Sequence, residues 1–342
     1  MSDDAASNPG EQTAQPTAPE NIRVTIAAFE TEERATAFGH LVAAFVRELS
    51  RHIDLSALDG VTIAADYDQA LLTLDRGYET SHRLTRTSDV AIGVAMTPSV
   101  MREGMRKSHM VFNAGVLVPL EDSDHDAFGL AVHTLAHECA HVEISAAFDR
   151  CFPDTLLKKS YDNLHEAARW DIILACWDEY AATRIAAPFG EDPTEGYEQT
   201  FLSVLADARD RANGLIREYR RHGDVARIYR EVAGVYGNLL KFACYHLGNL
   251  AGFGLQPSDR PETVKALDGH WFAPYFQRLT DICRDIYETF GRWDDQSLFE
   301  RIGDLADELI ELGGVHVEDR PGGEIYVDIP FTAQTMPSLH ST

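Results

Sequence analysis

Residues 130–148 read LAVHTLAHECAHVEISAAF. Val132, Leu135, Ala136, Ala140, Ile144 and Ala147 recur at helical spacing, which predicts a largely buried helix. Within it lies His137-Glu138-Cys139-Ala140-His141, an H-E-x-x-H pattern. Histidines four apart project from one helix face, so both imidazoles can reach one metal ion. Glu138 stands beside that ion without having to ligate it. Two ligands, a base and room for water make the layout of a zinc hydrolase. Polar groups on so apolar a helix cost free energy unless satisfied, and a metal satisfies them.

The other polar residues of the segment are weaker candidates. His133 continues the stripe, but each turn rises about 5.4 Å, too far for three histidines to share one ion comfortably. A capping or supporting role behind the ligands suits it better. Cys139 is turned away from both histidines and is expected in the core, and Glu143 points to another face.

The chain has 342 residues, 44% of them apolar, enough for a substantial core. Its formal net charge of −25 repels phosphate backbones, which argues against nucleic acid as a partner. Arg209, Arg211, Arg217, Arg220, Arg221, Arg227 and Arg230 fall in one helical region and are expected as a solvated face. Five scattered cysteines without a C-x-x-C do not make a disulfide framework. No run reaches membrane-spanning length and no signal peptide opens the chain, so a soluble cytoplasmic protein is expected.

Three parts are expected along the chain. Residues 1–20, rich in Ser, Pro, Gln and Asp, read as a disordered tail. Residues 21–150 mix strand and helix: strands at 22–26 and 61–64, a helix at 31–49 capped by Thr31, an apolar run at 90–96 and a strand or strand pair at 109–118. The acidic patch at 121–126 suits the N-terminus of the metal helix. Residues 151–342 turn mainly helical, with three-four spacing at 163–187, 195–222, 225–249, 274–290 and 295–312, and end in a hairpin around Arg320-Pro321-Gly322-Gly323. The glycines at 248–254 read as a helix terminus and turn rather than a phosphate loop. The predicted class is α+β: a small mixed sheet with the metal helix, then a helical half completing the site.

A catalytic zinc usually takes three protein ligands. The extension H-E-x-x-H-x-x-G-x-x-H is absent, because Ile144 and Ala147 occupy the diagnostic positions. The third ligand is therefore sought in the apolar helix at 170–187, where Asp178, Glu179 and Arg184 interrupt core-type residues. A buried carboxylate there needs a metal, Arg184, or both. Asp178 is a rival to Glu179, and Glu166 a weaker one.

The H-E-x-x-H helix followed by a second helix with Glu179-Tyr180-Ala181 resembles the glutamate-zincin metallopeptidases, including compact bacterial zincins of the ImmA/IrrE type. The resemblance spans about residues 109–187. It implies a three- or four-stranded sheet whose edge strand takes an extended peptide. It implies His137, His141 and Glu179 as ligands of one Zn²⁺ per chain and Glu138 as general base. Many such peptidases carry an Asp four residues after the ligand glutamate; here Thr183 stands there, so another group must orient the histidine. Tyr180, Tyr245 and His246 are candidate oxyanion donors. Cys176 is expected in packing, and His165 with Glu166 on a helix surface.

The expected function is a zinc metallopeptidase acting on a peptide or protein. Two alternatives stand beside it: a non-catalytic metal-binding or interaction module with its helical half as partner surface, and a regulatory protease with one dedicated protein substrate.

Overall fold

The computed structural model describes residues 14–86 and 93–336. The fold is α+β. β1 (Val24–Ala27) leads into α1 (Glu32–Leu49), β2 (Leu58–Ala64) and α2 (Tyr67–Thr73). Then come β3 (Ala95–Met96), β4 (Ser99–Arg102), β5 (Met105–Asn113), a short α3 (Ala114–Leu117) and α4 (Phe128–Cys151). β1, β2 and β5 are parallel; β3 and β4 run antiparallel along the outer side of β5. Thr31 caps α1 as expected, its hydroxyl accepting from the Arg34 N–H.

Alternation assigns the two faces of the sheet. Val61, Ile63, Met110 and Phe112 pack on Phe38, Val42 and Val46 of α1 and on Leu135, Cys139 and Val142 of α4. Val111 faces the other way, under Tyr67 and Leu71 of α2.

The second half is mainly helical: α5 (Leu164–Ala186), α6 (Thr194–His222), α7 (Val225–Gly252), α8 (Pro261–Leu267), α9 (Ala273–Glu288) and α10 (Ser297–Leu312), followed by the hairpin β6 (His316–Asp319) and β7 (Ile325–Asp328). Its core reaches α4 from the other side through Ala140, Ile144, Ala147 and Phe148. α4 is thus buried between two cores, which is why apolar residues surround it rather than forming one stripe. Gly248 lets α7 close on α5: a Cβ there would run into the Tyr180 carbonyl oxygen and the Thr183 hydroxyl. That close crossing brings α7 over the part of α5 that carries Glu179.

Several expectations need correction. Residues 1–13 of the expected tail lie outside the described residues, but 14–20 are docked. The Thr17 hydroxyl donates to the Ser50 carbonyl (2.9 Å) and accepts from the Leu55 N–H (2.9 Å), and Ala18 is buried. Backbone carbonyls make most of the other bonds there, to Arg47 and Arg51, so composition did not reveal them. Residues 114–117 are helix rather than strand, because the Asn113 side chain accepts from the Gly115 N–H and caps a turn. Of the apolar run at 90–96, residues 90–92 lie outside the described residues and only 95–96 pair as strand. The acidic patch does stand directly before α4, whose N-cap is Ala127, without a side-chain bond. Two of the arginines expected on a solvated face tie down the chain's end, Arg217 donating to the Gln334 carbonyl and Arg220 to those of Ile329 and Pro330. No helix among the described residues is long and apolar enough to cross a membrane.

Candidate metal centre

His137 and His141 leave α4 one turn apart, with ring centroids 4.7 Å apart and planes at 88°. Their Nε2 atoms approach to 3.1 Å. Glu179 of α5 completes the group: its Oε2 lies 3.4 Å from His137 Nε2 and 3.7 Å from His141 Nε2. Tetrahedral bonds of 2.0–2.1 Å to one zinc separate ligand atoms by about 3.3 Å, so the three spacings bracket that value. Glu179 Oε2 is buried and accepts no well-aligned hydrogen bond. Such an oxygen is costly unless a cation meets it. The group His137, His141 and Glu179 can hold a metal ion.

Asp178 does not join the triad. Its Oδ2 lies 3.0 Å from His141 Nδ1, the nitrogen on the other side of the ring. Consecutive helical residues point about 100° apart, so one carboxylate reaches the ligand face and its neighbour the back of the ring. Asp178 is thus paired with the back of the His141 ring, whereas the Thr183 hydroxyl donates to the Glu179 carbonyl (2.8 Å). Glu166 is far away at the start of α5, accepting from the Asp162 N–H. Glu143 accepts from the Asp54 N–H. Arg184 makes no ion pair with Glu179; it donates to the Tyr180 hydroxyl and lies over the Tyr287 ring.

The charges are tightly linked. Burial works against the His141 imidazolium, yet Asp178, Glu179 and Glu138 raise its pKa to about 10. Burial opposes the Glu179 carboxylate too, but the adjacent imidazoles of His137 and His141 hold it down to about 2. The pocket is built for positive charge at its centre, which a divalent cation supplies.

Glu138 is buried and lines the same cleft as the triad. The Thr97 hydroxyl donates to its Oε2 at 2.6 Å. Thr97-Pro98 breaks the edge of the sheet between β3 and β4, and the break turns Thr97 toward α4. Tyr245 of α7 stacks on His137 (centroids 5.9 Å apart, planes at 11°) and stands close to the Glu179 carboxylate. Burial and the Glu179 charge push its phenol well above the ordinary range, so it stays a donor. Of the other candidate donors, Tyr180 pairs with Arg184 and His246 is buried against Thr263. His133 supports the site from behind: its Nδ1 lies 3.2 Å from the Phe189 carbonyl oxygen and its Nε2 3.1 Å from the Tyr197 hydroxyl. Burial and the neighbouring His137 lower its pKa to about 4. Cys139 and Cys176 are fully buried in packing. His165 is paired with Asp307 at the α5–α10 contact.

A cleft of about 460 Å³ opens over the triad, walled by residues 93–97 on one side and by Tyr197, Lys241, Phe242 and Tyr245 on another. Thr97, Tyr197 and Lys241 escaped the sequence reading. Nothing in their local sequence marks them; chain segments far from the motif bring them in.

Comparison with protein-family models, curated proteins and solved structures gives no match.

Proposed function

We propose that the protein is a zinc-dependent metallopeptidase of the glutamate-zincin kind. The observation that carries this is the convergence of His137 Nε2, His141 Nε2 and Glu179 Oε2 beside the buried Glu138 carboxylate in an open cleft. Zinc bound there would polarise a scissile carbonyl and bring the pKa of a water molecule toward neutrality. Glu138 accepts the proton of the attacking water on a carboxylate oxygen and returns it to the leaving amine. Thr97 holds that carboxylate in position. The Tyr245 hydroxyl supplies a donor for the oxygen that gains negative charge. β3 is the edge strand of its sheet and borders the cleft, so its free backbone groups suit an extended peptide.

Five free cysteines, four of them buried, suit a reducing compartment such as the cytoplasm. The deciding experiment combines zinc analysis with a peptide-cleavage assay. Glu138→Gln should keep its zinc and lose turnover by roughly 10²- to 10⁴-fold. Undiminished cleavage by that variant would remove Glu138 from the chemistry.

A further inference from the structure

The hydrolytic chemistry leaves one charged group in the cleft unused. Lys241 is the only lysine or arginine among the described residues that line it. The three carboxylates of the cleft are already engaged, Glu138 by Thr97 and Asp178 and Glu179 by the histidines. Lys241 forms no ion pair with any of them; its ammonium sits 5.1 Å from the centre of the Phe242 ring. It is half-buried and forms part of the cleft wall, so its stem is confined.

Lys241 stands one helical turn from a residue that touches the triad. Lys241 and Tyr245 stand four residues apart on one face of α7, about 6 Å along the axis. Tyr245 stacks on the ligand His137. An extended peptide advances about 3.3 Å per residue, so Lys241 meets groups within about two residues of the bond over the metal. A chain of net charge −25 repels acidic ligands over most of its surface. A lone cation inside the cleft offsets that at one place and so carries information about the substrate.

We infer that Lys241 selects substrates by a peptide carboxylate, an acidic side chain or a free C-terminus, within about two residues of the scissile bond. This rests on the metallopeptidase proposal. A charge-assisted bond of this kind favours the acidic substrate roughly 10- to 100-fold.

The test uses randomised short peptides, one mixture with free C-termini and one with amidated C-termini. Cuts made by the zinc-loaded protein are mapped by mass spectrometry. Peptides retained on immobilised, zinc-loaded Glu138→Gln protein are identified in parallel, which reads recognition without turnover. The wild type should favour Asp or Glu near the cut in both mixtures if it reads a side chain. If it reads the terminus, it should cut near the chain end of the free-acid mixture alone. Lys241→Met should erase either preference, and Lys241→Glu should shift it toward Lys and Arg. One residue pattern shared by wild type and Lys241→Glu would overturn the inference and leave the peptidase intact. Neither cuts nor retention in any mixture, with zinc bound, would overturn the peptidase proposal and this inference with it.

Discussion

Asp178 Oδ2 lies 3.0 Å from His141 Nδ1, while the neighbouring Glu179 faces the Nε2 atoms of both histidines. Under the proposed ligand set, two adjacent carboxylates divide the work, one on the metal-facing side and one behind the His141 ring. A carboxylate behind an imidazole fixes its tautomer and strengthens it as a donor. Asp178→Ala should therefore weaken zinc binding about 10- to 100-fold in a chelator competition. Glu166→Ala, which removes the distant rival acid, should leave affinity unchanged. Equal losses for the two variants would contradict this division.

The pKa shifts set a pH dependence whose sign reverses with metal. In the metal-free protein, His141 is raised from 6.5 to about 10. Its stabilising contribution is complete below pH 6.5 and is lost as pH rises toward 10. Glu179 is lowered from 4.5 to about 2, so its contribution holds above pH 4.5 and is lost as pH falls through 2. Calorimetry with chelator present should show the melting temperature falling from pH 6.5 upward, and His141→Gln should flatten that slope. Zinc affinity should instead rise over the same range, because His141 must give up its proton to bind. A metal-free slope indifferent to His141→Gln would refute the charge assignment.

Thr97 presents a simpler case. Its hydroxyl donates to Glu138 Oε2 at 2.6 Å and touches no ligand of the triad. Thr97→Val keeps the shape and removes the donor, so zinc content should be unchanged while kcat falls about 10-fold on any peptide the protein cuts. Loss of zinc in this variant would show that Thr97 supports the metal site itself.

What could be read from the sequence followed the range of each interaction. His137 and His141 lie on one helix, so the helical repeat alone places them together. The cap at Thr31 is equally local and appears. Of the stripe that the spacing at 295–312 predicts, Leu298, Ile302, Leu305, Leu309 and Leu312, the middle three are buried, Leu298 is half-buried and Leu312 is exposed. The choice between Asp178 and Glu179 was not local. It depends on how α5 is rotated against α4, and α7 presses on that same stretch of α5 where Gly248 meets Tyr180. Tyr245 was one of three undistinguished donors until that crossing set it over His137. Thr97, Tyr197 and Lys241 come from a broken sheet edge and two later helices, with no spacing that links them to the motif. Residues 114–117 read as strand because an apolar run does not distinguish strand from a capped helical turn.

Zinc content per chain, measured by mass spectrometry after dialysis against zinc and then buffer, is the most direct test of the site. The wild type should retain about one equivalent, and His137→Ala and Glu179→Ala only a small fraction of it, with all three proteins folded by circular dichroism. A wild type that retains no zinc, or a Glu179→Ala protein that holds it as tightly as the wild type, would contradict the ligand set on which the proposed chemistry stands.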